Sequence, residues 1–299
     1  MFALLGPISW GASTHIDKYL VEKYFKNSET AVLMVFTAIV GIAALPVIWI
    51  LDPTVLRLSF ADAGIVALSG AMYMGAMLFY LRAMQTEEAS VIAPLFQFSP
   101  VFTLLLGYIL LHEVLSWSQL GGIALILAGA LTVSTDGRSF LRQFKLRLLL
   151  LMAAATAILA LSTVLFKLFA VQTGFWSTTF WMFVGEAVFG TGILCVPSAF
   201  REFVTLFRRS PGPVIGVNAA NELINLGGGL AVRFATLLAP VALVSAISST
   251  TTFFVFGFGI LLTLFFPKLG REDLSPRNLV RKGLGALLVG GGVALLELA

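Results

Sequence analysis

Glu222 is a carboxylate set in hydrocarbon. The stretch from Pro213 to Leu237 is a long apolar run that also carries Asn218, Asn221, Asn225, a Gly227-Gly228-Gly229 triplet and Arg233. Read as a helix, positions 218, 221, 222, 225 and 229 stand at i, i+3, i+4, i+7 and i+11. That spacing puts them on one face, within an arc of roughly 100°. An ionisable group inside an apolar helix is costly unless it faces other helices or water, so it is a functional candidate by default. Burial disfavours the charged form of a carboxylate. Such a group suits proton exchange against a solute, or direct binding of an amine. The structural alternative is a Glu hydrogen-bonded to an Asn or to an Arg of another helix. Asn218, Asn221 and Asn225 share the face and could line a polar cavity or cross-link helices, each such bond being worth about 0.6 kcal/mol.

Glu186 is the second candidate, in the middle of another apolar run. Lys167 is its expected partner if the two helices that carry them pack side by side, and the pair would then be a structural clip. Arg82 and Arg233 stand near the ends of apolar runs, where long cationic side chains reach for an interface; the alternative is a gate contact. Gln97 lies between Pro94 and Pro100, and proline inside a helix frees carbonyls that a cavity or a neighbour must satisfy. Ser245, Ser248, Ser249 and Thr252 repeat the i, i+3, i+4, i+7 spacing, which favours close helix packing. The glycines at 227–229 and 290–292 read as close packing or hinges. No strand precedes them and no Gly-Lys-Ser/Thr follows, so they are not phosphate loops. With His15 and His112 the only histidines, a metal site is not expected, and neither is a cofactor. His15 reads as a structural group near Asp17, and His112-Glu113 as a cap or loop contact. Cys195, in the apolar setting GILCVPS, reads as a packed core thiol. The five Trp, at 10, 49, 117, 176 and 181, fall mostly near segment ends, where interfacial aromatics belong.

These groups need a scaffold, and composition names it. The 299 residues are 59% hydrophobic and 11% charged, with a mean hydropathy of +0.98. A soluble domain carries about 25% charged residues. The shortage makes this a polytopic membrane protein, all-α, with the bilayer as its partner. The net charge of +4 is what basic loops on one membrane side produce, so no nucleic acid is implied. One cysteine excludes an intramolecular disulfide. The N-terminus has no Lys or Arg before Lys18, so it reads as a first membrane helix and not a cleaved leader.

A membrane helix needs about 20 mostly apolar residues. Ten segments qualify, at about 2–21, 31–51, 62–83, 89–111, 118–135, 148–171, 177–198, 213–237, 239–266 and 281–298. They fall into two halves, 2–135 and 148–298, joined by a basic linker from Asp136 to Arg147. The halves echo one another. Ser13-Thr14 and Lys18 match Ser162-Thr163 and Lys167, Arg82 matches Arg233, and Gly107-Tyr108-Ile109-Leu110 resembles Gly257-Phe258-Gly259-Ile260-Leu261. Pro46 and Pro197 each close the second helix of a half. Five helices is an odd number, so the two copies must be inverted in the membrane. Inverted repeats recur in secondary transporters, with the site near the midplane between them. Basic residues gather on the side opposite the termini, which makes that side cytoplasmic and both termini exoplasmic. The expected setting is a prokaryotic cell (inner) membrane.

The run Tyr80-Leu81-Arg82-Ala83-Met84, Ala89-Ser90-Val91, Pro100, Glu113, Leu115-Ser116, Gln119, Gly121-Gly122 and Gly129 looks like the EamA repeat, which defines a family of the drug/metabolite transporter superfamily. The second half echoes it with Arg233-Phe234-Ala235, Ala239-Pro240-Val241-Ala242, Glu272-Asp273-Leu274-Ser275 and the glycines from Gly283 to Gly292. Thr251 stands where the first half has Pro100, and the loop from Pro267 to Asn278 is longer than its counterpart. The resemblance implies ten helices as two inverted five-helix repeats. It also implies alternating-access movement of small metabolites, often amino acids or related solutes, outward.

The expected function is therefore secondary transport of a small organic solute. It would bind between the halves near Glu222, Asn225, Glu186 and Gln97, with protons as the candidate coupling ion. A channel or scaffold is the alternative. An intramembrane enzyme is disfavoured because HExxH and GxSxG are absent. Neither oligomeric state nor substrate is legible.

Overall fold

The computed structural model describes residues 2–23, 30–86, 95–96, 98–134, 146–209, 212–266 and 275–297. Gln97, Pro94 and the 135–145 linker lie outside the described residues, as do 87–91 and 267–274. The described regular structure is helical. The helices are α1 Phe2–Lys23, α2 Thr30–Leu51, α3 Phe60–Thr86, α4 Phe98–Leu111, α5 Trp117–Ser134, α6 Leu146–Thr173, α7 Phe175–Gly192, α8 Pro197–Arg209, α9 Gly212–Leu238, α10 Val241–Ser248, α11 Thr251–Phe265 and α12 Pro276–Glu297. Short 3₁₀ turns, Pro53–Arg57 and Ile193–Cys195, follow α2 and α7.

Helix starts follow local chemistry. At α5, Ser116 N–H donates to Gln119 Oε1 (2.9 Å) and Gln119 N–H donates to Ser116 Oγ (3.2 Å). This reciprocal capping box satisfies two N–H groups that a helix start leaves unpaired. At α3, Ser59 Oγ accepts from Asp62 N–H at 3.1 Å. Asp52 accepts from Thr54 N–H and so caps the turn after α2. Gly174, at φ 90°, reverses the chain between α6 and α7 in a conformation that favours glycine.

Among the described residues, six segments are long and apolar enough to cross a membrane: Met34–Leu51, Phe60–Ala83, Arg147–Thr173, Phe175–Cys195, Val241–Phe265 and Pro276–Leu296. Phe98–Leu111 and Trp117–Thr132 are apolar but shorter. The described residues do not confirm the expected ten segments. The remaining long helices, α1 and α9, carry the polar residues and pack against each other. Their polar faces lower their average apolarity; Asn218 and Asn221 are buried against protein, whereas Asp17 is exposed.

Packing joins α1 to α9 and α11, and α6 to α3 and α4. α5 packs on α12, and α2 on α7. Where α5 crosses α12, a Cβ at Gly122 would come within 3.0 Å of Gly292 O, and one at Gly292 within 2.7 Å of Gly122 O. Gly292 is therefore a packing glycine as expected, whereas Gly290 and Gly291 face open space.

Four local expectations need correction. Pro46 does not close α2, which runs on to Leu51. Pro197 closes nothing and instead opens α8; its missing N–H costs little at a first helical position. The expected helix over 177–198 therefore stops at Gly192, and Cys195 in the turn beyond it is exposed, not packed. The ninth apolar run is not one helix. It is interrupted at Ser249-Thr250, where Thr250 N–H bonds to Ile247 O in a tighter i to i+3 pattern.

Candidate functional site

The polar side chains of α9 reach three different helices. At one level is Asn221, fully buried, whose Nδ2 donates to Asp17 Oδ1 of α1 at 2.6 Å. Ser13 Oγ donates to the other oxygen, Oδ2, at 3.3 Å. On the adjacent face of α9, Glu222 is half-buried and its Oε1 accepts from Thr37 Oγ1 of α2 at 3.2 Å. The Asp17 and Glu222 carboxylates act on one another electrostatically. Asn218 is buried one turn away, and Asn225 is half-buried on the same line.

Close approach of α1 to α9 makes this level possible. A Cβ on Gly228 would stand 2.7 Å from Ser9 Cβ, and one on Gly6 would collide with Val232. The two helices run antiparallel, with Ala3 beside Ala235 at one end and Asp17 beside Asn221 towards the other. Gly227 and Gly229 meet nothing within 4 Å, so of the triplet only Gly228 is a packing residue.

Eleven residues further along α9, about 16 Å at helical rise, stands Arg233. It lies on the Glu222 line, because eleven residues is close to three helical turns. Its Nη2 pairs with Glu186 Oε1 of α7 at 2.5 Å. Glu186 is 6% exposed. Three rings surround the guanidinium: Phe183 at 5.1 Å, Tyr73 at 5.7 Å and Phe166 at 6.0 Å. Cation–π attraction of this kind adds to the ion pair where water is excluded. Glu186 is buried because α3 and α7 meet backbone to backbone, Gly185 against Ala67 and Gly70 against Met182.

The third cluster ties the ends of helices. Lys167 Nζ of α6 lies 2.6 Å from Glu113 Oε1, in the turn after α4, and also donates to Ala239 O at 2.8 Å. Glu113 Oε2 accepts the first amide of α10, Val241 N–H, at 2.9 Å. A carboxylate at a helix N-terminus is favoured by the unpaired N–H groups there. His112 holds the turn at φ 55°, a left-handed conformation.

These contacts overturn two expectations. Lys167 does not pair with Glu186; each takes another partner, because α9 presents Arg233 to α7 while the turn after α4 brings Glu113 to Lys167. Arg233 does not snorkel to an interface but ends in a buried ion pair. Arg82, its counterpart in α3, is exposed. Glu222 and Glu186 do not share one cluster, being bound to different helices at different heights on α9. Gln97 lies outside the described residues. His15 fits its structural reading, with Nε2 2.8 Å from Val255 O.

Asp17, Ser13 and Thr37 are not among the site residues that the sequence suggests, although Ser13 and Asp17 stand in the repeat and beside His15. A signal existed for α1: Gly6, Ser9, Ser13 and Asp17 stand at i, i+3, i+7 and i+11, the same one-face spacing as the α9 stripe. No such pattern marks Thr37.

Chemically, the four carboxylates sort into two kinds. Glu186 and Glu113 are neutralised by Arg233 and Lys167. Asp17 and Glu222 have hydroxyl and amide partners and, among the described residues, no cation within ion-pair distance. They form the part of the site with acceptor capacity left for a proton or an amine. Among the described residues, no group of three His, Cys, Asp or Glu side chains is placed to hold a metal.

A crystal structure of a protein superposes with a TM-score of 0.71, covering 99% of this chain and 95% of that one at 14% identity, a likeness that shows the fold alone. No curated protein matches the sequence. The EamA-like transporter family matches residues 1–135, the segment that ends with α5. Through those residues, less than half of the chain, this integral membrane protein is similar to the EamA-like transporter family of the drug/metabolite transporter superfamily.

Proposed function

We propose that the protein is a secondary transporter of small organic metabolites, amino-acid-like or amphiphilic, working by alternating access between two inverted five-helix halves, 2–135 and 148–298. The reading draws support from the packing pattern. α1 with α9 and α11 parallels α6 with α3 and α4, and these are equivalent elements if the halves repeat. α10 and α11 then count as one interrupted span, as transporter helices near a site often are.

The observation that carries the proposal is the pair Glu222 and Asp17, without a cation partner among the described residues, at the contact of α1 and α2 with α9. It lies between the halves, and intramembrane carboxylates without a cation partner mark solute or proton pathways. Protons are the coupling ion in this reading. Export across a cell (inner) membrane, with exoplasmic termini, is the direction.

Transport into proteoliposomes tests it, using an imposed pH gradient and a panel of amino acids and organic cations. Wild type is expected to accumulate a solute against its gradient. Glu222→Gln is expected to abolish accumulation while remaining folded. Solute-driven proton movement lost in Glu222→Gln assigns coupling. Unaltered, saturable, gradient-driven transport in the variant would overturn the role of Glu222. Non-saturating flux in wild type would make the protein a channel.

A further inference from the structure

We propose that α8 is an interfacial helix that binds anionic phospholipid, with Arg201 and Arg208 on the headgroup phosphates and an apolar flank in the acyl chains. The helix, PSAFREFVTLFRR, separates into three stripes by helical spacing. Ala199, Phe203 and Leu206 face inward. Ala199 is 2% exposed, Phe203 meets Phe36 of α2 with centroids 5.4 Å apart, and Leu206 packs on Leu20 of α1. A second apolar stripe, Phe200, Val204 and Phe207, is not covered in this way. Phe200 is 51% and Phe207 52% exposed. Arg201 and Arg208, one heptad apart, are both exposed on the edge next to that stripe.

The occupant follows from where α8 sits. The span Phe175–Cys195 ends immediately before it, and α9 begins three residues after it. Its inner stripe fixes it against α1 and α2, so it cannot drift into solution. Exposed phenylalanines at the end of a membrane span are adjacent to acyl chains, and a helix with apolar and basic flanks lies in the interface plane. The helix sequence holds Arg201, Arg208 and Arg209 against a single acid, Glu202. That balance selects anionic over zwitterionic headgroups. A soluble protein partner would instead require the Phe200–Phe207 flank to stand in water.

The test uses the full chain with Cys195 replaced by Ser, carrying one spin label through Phe207→Cys or Thr205→Cys. It is reconstituted in phosphatidylcholine vesicles with about a third phosphatidylglycerol. The label at 207 is expected to collide with oxygen, which concentrates in hydrocarbon, and to be shielded from a water-soluble nickel chelate. The label at 205 should show the reverse. Spin-labelled phosphatidylglycerol should be enriched around the protein relative to labelled phosphatidylcholine. Arg201→Gln with Arg208→Gln should reduce that enrichment at constant melting temperature, by up to about fivefold per arginine. Equal nickel access at 207 and 205 would overturn the apolar contact and favour a soluble partner. Enrichment unchanged in the double variant would overturn the headgroup assignment. Neither outcome depends on transport, so failure here is separable from failure of the transporter reading.

Discussion

Arg233 of α9 and Glu186 of α7 meet at 2.5 Å, Nη2 to Oε1, inside a ring of Phe183, Tyr73 and Phe166. Removing one partner of a buried pair leaves an uncompensated charge, which costs about 3–5 kcal/mol. Arg233→Met and Glu186→Leu are each expected to lower the thermal midpoint in detergent. The double variant should be less destabilised than the sum of the two, because neither charge is then stranded. Additive losses would mean that the two side chains act independently.

Lys167 and Glu113 hold together the turn after α4, the C-terminal part of α6 and the start of α10. Glu113→Gln keeps a carbonyl for Val241 N–H but loses the charge facing Lys167. Glu113→Ala loses both. The expected order of stability is wild type, then Gln, then Ala, with the second step costing about 1–3 kcal/mol for an orphaned amide. Equal melting of the Gln and Ala variants would show that the amide contact contributes nothing.

Gly228 and Gly229 are neighbours in sequence with opposite surroundings. A side chain at Gly228 meets Ser9, and at Gly229 it meets nothing within 4 Å. Gly228→Val is expected to destabilise by about 1–3 kcal/mol by forcing α1 from α9. Gly229→Ala should be neutral or stabilising, since alanine favours a helix by about 1 kcal/mol. Parallel thermal melts check both, and similar losses in the two variants would contradict the packing described.

Thr250 lies at the α10–α11 interruption, 3% exposed, with no hydrogen-bond partner for its hydroxyl among the described residues. Replacing an unpartnered buried hydroxyl by a methyl of similar shape removes a cost and no bond. Thr250→Val should melt at or above the wild-type temperature. A clear decrease would show that the hydroxyl is satisfied in the working protein. Lost transport at unchanged stability would place Thr250 on the solute path.

The sequence by itself determined the class of the molecule and the face on which its polar groups lie. Hydropathy and the 3.6-residue period are local, so the Asn218-to-Gly229 stripe could be read before any neighbour was known. The reciprocal cap at Ser116 and Gln119 is local in the same way. Which cation neutralises which carboxylate was decided only by tertiary packing. Arg233 and Glu186 are 47 residues apart, Lys167 and Glu113 are 54, and Asn221 and Asp17 are 204. Lys167 with Glu186 was a reasonable pairing for adjacent helices, yet α9 delivers a guanidinium to Glu186 and the turn after α4 delivers Glu113 to Lys167. The helix interruption at Ser249-Thr250 and the exposure of Cys195 were hidden for a related reason. An apolar run has the same composition whether or not its helix continues, and exposure depends on what packs beside it. Of the four carboxylates at the site, Glu222 and Asp17 are left without a described cation partner, because the packed helices bring Arg233 to Glu186 and Lys167 to Glu113.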